Sequence, residues 1–216
     1  MANATTKLFF MGILAVLPLS ALELRQVLRE QSVPDVVVYV EVDQLPISVL
    51  FPAEDTATRM FSQIGVNVQW ANRRHVRNCQ ADGTSCTAGR PVEIGVRMDK
   101  VKKPSTSREA YASASPYAVD GARIIVYYAE LHEAMRCQPR SEPIVLAHIL
   151  VHEIAHVLQG VARHSDTGVM QAHWNLGDFA TMKQGPLDFS QEDAELVHLG
   201  LQKARSAAFP APSIGK

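Results

Sequence analysis

Residues 143–164 read PIVLAHILVHEIAHVLQGVARH, and this stretch decides the fold of the chain. After the leading proline its first half is almost continuously apolar, which predicts a helix that is buried on all sides. Proline is well tolerated in the first turn of a helix, so we expect the helix to begin between Glu142 and Ile144. Gly160 is the residue best suited to the left-handed conformation that ends helices, and we expect the helix to stop there.

Two histidines lie one turn apart on this predicted helix. His152 and His156 share one face, so their imidazoles can bind the same metal ion. Glu153 lies about 100° around the helix from His152, where its carboxylate can act as a general base without being a ligand. This pattern is typical of zinc hydrolases. Such sites have three protein ligands and an open position, and His164, beyond Gly160, is the candidate third ligand.

A glutamate on a later helix is the alternative third ligand, as in thermolysin-like enzymes. Glu192 and Glu195 are the candidates, although acidic residues at a helix start also stabilise the helix dipole. His164 is favoured because it follows the glycine turn closely. His148 lies a further turn back on the same face, too far along that line to share the ion. We interpret it as a buried histidine that is hydrogen-bonded nearby.

Six residues of this segment occur in an order that characterises one family: His152, Glu153, His156, Gly160, His164 and Met170. The order resembles the metzincin metalloproteases, and most closely their matrixin branch. In metzincins a glycine turn and a third histidine follow the two helix histidines, and a methionine-containing turn lies beneath the zinc. Gly160 lies four residues after His156, and His164 lies four residues after Gly160. Both spacings are three in the family, so the segment between the two histidines is two residues longer here. It is similar to the stretched motifs of a group of bacterial secreted proteins.

The resemblance covers residues 143–174 and implies a zinc endopeptidase with an α+β catalytic domain. We therefore expect a mixed twisted sheet of four to five strands, an early helix, the active-site helix and a C-terminal helix. Zn²⁺ would be held by the three histidines, with Glu153 as the general base and Met170 forming a hydrophobic floor. In this family a strand at the edge of the sheet receives a peptide or protein substrate by strand addition. Residues 112–115 would be that strand, and a plain surface loop of small residues is the alternative.

The rest of the chain supports this architecture. An amphipathic pattern predicts a helix from Pro52 to Ile64, ended by Gly65, and another is predicted from Ser190 to about Lys203, with Glu192 or Asp193 in capping roles. The first helix lies between two strands, which implies a parallel pair. Runs that are β-branched or alternate in polarity predict strands at 36–42, 66–70, 92–98 and 122–128.

Several residues near the motif have two interpretations. Asp166 can orient a ligand histidine through a hydrogen bond, or cap a turn. Tyr127, Tyr128 and amides of the edge strand are candidates for stabilising an oxyanion. Cys79 and Cys86 bracket a turn-rich loop that a disulfide can close. Cys137, shortly before the active-site helix, is interpreted as a structural or free cysteine, with a zinc-capping thiol as the alternative.

The length of 216 residues suits one domain, which we place at residues 35–205, between a short segment at 22–34 and a flexible tail at 206–216. The net charge of −1 and a pI of about 6.7 provide no electrostatic basis for binding nucleic acid. We expect a monomer. A non-catalytic exported zinc-binding domain is the second functional class, but a purely structural zinc site has no need of a base such as Glu153.

Residues 1–21 differ in character from the rest. Lys7 precedes the apolar run 8–17, and small residues follow up to Ala21, which predicts a secretory signal peptide. The run is short for a membrane span, so we expect it to be removed and the mature protein to be secreted or periplasmic. The chain would remain anchored to the membrane only if the segment were not cleaved.

Overall fold

The computed structural model describes residues 33–41, 45–72, 91–99, 111–115 and 122–208. The described residues from Pro34 onward belong to one compact unit. The proposed signal peptide, Cys79 and Cys86 lie outside the described residues.

The five described strands form one mixed sheet in the order β2-β1-β3-β5-β4. Neighbouring strands are parallel except for β4, which runs antiparallel to β5 at the edge. The predicted parallel pairing of the first two strands and the edge position of 112–115 are therefore confirmed. The strands are β1 (Val36–Glu41), β2 (Val68–Asn72), β3 (Val92–Asp99), β4 (Ala112–Ser115) and β5 (Ala122–Tyr127).

Five α-helices accompany the sheet in the described part of the chain, and the fold is α+β as predicted. The helix α1 packs against α3, and α3 contacts β4, β5 and α5. The helices are α1 (Ile47–Gln63), α2 (Tyr128–Met135), α3 (Glu142–Gln159), α4 (Leu176–Met182) and α5 (Gln191–Ala208).

The helix α3 begins at Glu142, and Gly160, which follows its last residue with a left-handed φ of 66°, caps its end, so both predicted ends are confirmed. By length and composition the segment Pro139–Gln159 is apolar enough to cross a membrane. However, 67% of its apolar window is buried inside the fold, because α3 contacts the sheet edge as well as neighbouring helices. It is the central core helix.

The first helix begins five residues earlier than predicted, at Ile47 instead of Pro52. The extra turn is held by the Pro46 carbonyl, which accepts hydrogen bonds from the N–H groups of Val49 and Leu50 at 2.9 and 3.0 Å. Leu50 is buried, and its burial offsets the hydrogen bond that a proline inside a helix cannot donate. Pro52 therefore lies inside the helix and does not start it.

Two short helices were not predicted. The strand β5 continues directly into α2 at Tyr128. No glycine or proline lies between them, so the sequence has no local signal for the change from strand to helix. The helix α4 does have a signal, since Asn175 and Asp178 form a reciprocal capping box. The last helix extends to Ala208, so residues 206–208, expected in a flexible tail, are helical.

Close backbone packing fixes α5 against the end of α3. A Cβ added at Gly200 would lie 1.6 Å from the backbone oxygen of Leu158, whereas one added at Gly185 would meet nothing within 4 Å. Only glycine permits this approach of the two helices.

Replacing Gly200 with alanine is expected to lower the free energy of unfolding by about 1–3 kcal/mol or more, because one of the two helices must move. Helix propensity alone would favour alanine by about 1 kcal/mol, so the sign of the change tests the contact. Denaturant unfolding measures it, with Gly185→Ala as the control that should be neutral or slightly stabilising. Equal effects of both changes would contradict the close packing.

Candidate metal centre

Three histidine rings converge at the end of α3. The Nε2 atom of His156 lies 3.0 Å from Nε2 of His152 and 3.3 Å from Nε2 of His164. Among the described residues these three side chains are the group whose ligand atoms all lie within 4.8 Å of one another. The segment between His156 and His164 therefore returns the third imidazole to the other two, despite its two extra residues.

Backbone carbonyls fix the orientation of the two helix histidines. Nδ1 of His152 is 2.9 Å from the Val169 oxygen, and Nδ1 of His156 is 3.2 Å from the Val161 oxygen. A carbonyl only accepts hydrogen bonds, so each Nδ1 carries the proton and donates it. Each Nε2 of the neutral ring then presents a lone pair to the centre of the cluster, which is the tautomer that a metal ligand requires.

Burial keeps these rings neutral. It lowers the pKa of His152 to about 4, although the hydrogen bond to the Val169 carbonyl opposes the shift. The pKa values of His156 and His164 are also lowered, chiefly by desolvation, and His173 contributes to the shift at His164. Because metal ligation requires unprotonated imidazole nitrogens, this environment suits a cation at neutral pH.

The donor set fits zinc. Two lone pairs facing each other at 3.0 Å cannot form a hydrogen bond, and a shared cation resolves their repulsion. Nitrogen ligands about 2.05 Å from a tetrahedral zinc ion lie roughly 3.3 Å apart, close to the two measured separations. Three imidazoles can thus hold one Zn²⁺ ion, with room in its coordination for one more ligand.

The turn that contains Met170 lies in the core beside the cluster. Met170 is fully buried, and its carbonyl accepts a hydrogen bond from the Ser165 N–H at 2.9 Å. Gly168 has a φ of +77°, and a Cβ added there would lie 2.3 Å from the Asp188 carbonyl oxygen, which itself accepts from Val169 N–H. The turn therefore holds His152 through the Val169 carbonyl and the loop of His164 through Ser165.

Trp174 supports the ligand ring of His152 and the buried ring of His148. Its ring stands edge-on to both, with centroid distances of 5.9 and 6.0 Å. His148 is fully buried, with Nδ1 2.7 Å from the Ile144 carbonyl and Nε2 accepting from Leu187 N–H at 3.0 Å. Its interpretation as a hydrogen-bonded buried histidine is confirmed, and it fastens the segment around Leu187 to α3.

Glu153 points from α3 toward the edge strand. Burial raises the pKa of its carboxyl group to about 7, and a hydrogen bond from the Ala114 N–H opposes this shift. The strand pairing explains why that amide is available. The Tyr111 carbonyl accepts from the Tyr127 N–H, and in an antiparallel pair every second residue is hydrogen-bonded, so Ser113 also bonds to β5. The N–H and C=O groups of Ala112 and Ala114 therefore face away from β5.

The alternative ligands and partners lie elsewhere. Glu192 forms an ion pair with Arg163, and the exposed Glu195 accepts from Gln191, so neither belongs to the group of converging ligand atoms. Asp166 is exposed, and carbonyls take the orienting role considered for it. The carboxylate that binds residues next to a cluster histidine is instead that of Asp193.

Among the candidates for other roles, Tyr128 and Cys137 lie away from the cluster. Tyr127 is buried, and its hydroxyl lies 3.3 Å from Ser113 Oγ. Tyr128 packs near Glu142, whose carboxylate adds to the effect of burial in raising the pKa of the tyrosine. Glu142 is ten residues from His152, about 15 Å along the helix, so Tyr128 cannot reach a group bound at the histidines. Cys137 is free and exposed before that same distant end of α3.

Asp193 was predicted only as a cap, and the structure adds a second role. Its fully buried carboxylate accepts from Ser190 Oγ at 2.6 Å, and Ser190 Oγ caps the start of α5 by accepting from the Asp193 N–H at 3.1 Å. It also accepts from Ser165 Oγ at 2.8 and 2.7 Å, and it pairs with Arg163 at 3.2 Å. Arg163 and Ser165 flank His164 in sequence. Local spacing indicates the cap, but nothing local indicates partners 28 and 30 residues away.

Comparison with protein-family models, curated proteins and solved structures finds no match to this chain.

The cluster predicts which substitution removes metal binding. His164→Ala is expected to abolish stoichiometric zinc binding, because two imidazoles on one helix leave half of a tetrahedral site without ligands. Elemental analysis after dialysis against trace zinc measures this. Glu192→Ala and Glu195→Ala should keep one zinc ion per chain, and loss of zinc in either of these with retention in His164→Ala would identify a glutamate ligand instead.

Proposed function

We propose that this protein is a zinc-dependent endopeptidase of the metzincin type. The observation that carries the proposal is the convergence of three imidazole Nε2 atoms, with His156 Nε2 3.0 Å from that of His152 and 3.3 Å from that of His164, at the helix that also carries Glu153. Structural zinc sites are usually closed by four protein ligands, whereas hydrolytic sites have three. Three histidines, with Glu153 directly after His152 in the chain, match the second type. The order of the motif and the turn at Met170 support the same family.

A zinc ion bound by these histidines would supply a Lewis acid and make water acidic enough to deprotonate near neutral pH. The protein's own contribution is to hold the ligand rings neutral and correctly turned. The carbonyls of Val169 and Val161 do this for His152 and His156 by accepting from Nδ1. The buried Met170 turn provides the rigid support from which the Val169 carbonyl projects.

Glu153 moves the proton. Its carboxylate accepts a proton from the attacking water as the carbon–oxygen bond forms at the scissile carbonyl. It then delivers that proton to the leaving nitrogen as the carbon–nitrogen bond breaks, so the products are a carboxylic acid and an amine, and the second proton of the water passes from the acid to the amine to give carboxylate and ammonium. A carboxyl whose pKa lies near 7 in the absence of a cation is suited to both steps, because it can gain and lose a proton near neutral pH.

The edge strand β4 indicates the substrate. It is four residues long and contacts α3, the helix that carries Glu153. The backbone groups of Ala112 and the carbonyl of Ala114, which face away from β5, can pair with an extended peptide by strand addition. Since Glu153 already hydrogen-bonds to the Ala114 N–H, a peptide on this edge would pass beside the general base. The substrate is therefore a peptide or an extended segment of a protein.

Replacing Glu153 with glutamine tests the mechanism. The amide keeps the size of the side chain but accepts no proton, so turnover should fall by at least about 100-fold while zinc binding persists. Digestion of a peptide library, with and without a chelator, measures activity, metal dependence and residue preference together. Glu195→Gln is the matched control, because it makes the same change on an exposed part of α5.

Two results would contradict the proposal in different ways. Full turnover by zinc-loaded Glu153→Gln would show that another group is the base. A wild-type protein that binds zinc but cleaves nothing in the library would be a non-catalytic zinc-binding domain.

We further propose that the protein acts outside the cytoplasm, as a monomer. The basis is the run of apolar residues 8–17 after Lys7, followed by small residues up to Ala21. Expression of the full chain in a bacterial host should give a processed protein in the periplasm or the medium. Its N-terminal sequence should begin close to Leu22, and retention of the complete N-terminus in the cytoplasm would contradict export.

A further inference from the structure

The third histidine differs from the other two in how it is held. His152 and His156 are fixed by the rigid helix α3 and by carbonyls at Nδ1. His164 is exposed and lies on the loop beyond Gly160, and in the part of the chain that the structure describes no carbonyl holds its Nδ1. Its position must therefore come from the residues next to it.

Both neighbours of His164 are bound to one buried carboxylate. Ser165 Oγ lies 2.8 and 2.7 Å from the two oxygens of Asp193, and Arg163 lies 3.2 Å from the first of them and 3.0 Å from Ser165 Oγ. Arg163 also pairs with Glu192. Asp193 itself is fixed at the first turn of α5 by Ser190, and α5 is packed tightly on α3 at Gly200.

We propose that Arg163, Ser165 and Asp193 form a clamp that positions His164 as the third metal ligand. This inference rests on the proposed metal site. The loop between His156 and His164 is two residues longer than the metzincin pattern, so it has more conformations to lose when the third imidazole is placed. Two hydrogen-bonded anchors on one buried carboxylate remove that freedom before metal binding.

The charge of the clamp also favours a cation. Asp193 is buried, and its negative charge acts on His152 and His156 in the direction that stabilises positive charge there. Arg163, which pairs with both Asp193 and Glu192, offsets part of the negative charge of Asp193. Asp193 is thus a positioning residue, which acts on the metal through the loop and not as a ligand.

A matched pair of serine variants tests the clamp, because each serine donates one hydroxyl hydrogen bond to the same carboxylate. Ser165→Ala removes the bond on the side of His164, whereas Ser190→Ala removes the bond on the side of the α5 cap. The metal-free full-length protein is titrated with Co²⁺, whose visible absorption reports its coordination geometry. Denaturant unfolding of each metal-free variant measures the loss of stability separately.

Ser165→Ala and Asp193→Asn are expected to raise the Kd for Co²⁺ by about 10–100-fold and to change the cobalt spectrum, as loss of an outer hydrogen-bond partner does. Ser190→Ala releases Asp193 only on the side away from His164, so it should raise the Kd clearly less than Ser165→Ala does, even if it lowers stability more. Ser165→Thr, which keeps the hydroxyl, should restore the wild-type Kd. In the Ser165→Ala background, Asp193→Asn should add less than it does alone, since the two residues act together.

The clamp is refuted if Ser165→Ala binds Co²⁺ as wild type does, or if Ser190→Ala weakens binding equally. If Asp193→Asn fails to fold, the serine pair still decides the outcome. A wild-type protein that binds no Co²⁺ would refute the metal site itself, and this result is visible before any variant is compared. A protein that binds metal but has no peptidase activity would leave the clamp testable while refuting the proposed enzyme.

Discussion

The arrangement of the site depends on where the Nδ1 protons of two histidines go. Because the carbonyls of Val169 and Val161 accept these protons, the Nε2 lone pairs of His152 and His156 face each other at 3.0 Å. That contact is repulsive between neutral rings and becomes favourable around a cation. A geometry of this kind persists only when rigid surroundings impose it. Much of the described structure near α3 can be understood as those surroundings.

Two segments after α3 together impose this geometry. The turn at Met170 carries the Val169 carbonyl, and it is fixed by the contact of Gly168 with the Asp188 backbone. The segment around Leu187 is in turn fastened to α3 by the buried His148. The same helix that bears two of the rings therefore also anchors the support beneath them. Displacing any of these contacts would move a carbonyl, and with it the orientation of a ligand ring.

The edge strand and the C-terminal helix complete the site by different means. The strand β4 contributes a backbone amide to Glu153, which holds the carboxylate against the surface where an extended chain can pair. The helix α5 contributes Asp193, a buried carboxylate that Ser190, Ser165 and Arg163 satisfy. Burying a carboxylate without partners would be costly, so these donors are required for α5 to pack where it does. The histidine cluster, the loop of His164 and the terminal helix are consequently parts of one hydrogen-bonded unit.

Periodicity and punctuation in the sequence determined α3, from the apolar run after Pro143 to the left-handed Gly160, because such signals act over a single turn. They also determined the common face of His152 and His156 and the parallel opening of the sheet, whereas residues 112–115 remained open between an edge strand and a surface loop until the structure decided for the strand. The start of α1 was misplaced because the burial of Leu50 outweighed the penalty of Pro52. Tertiary structure alone decided that His164 returns to the helix histidines across a longer loop. It also decided that carbonyls, and not Asp166, orient the rings, and that Asp193 binds both neighbours of His164. These contacts join groups far apart in the chain, and their energies depend on burial and distance, which no local pattern encodes.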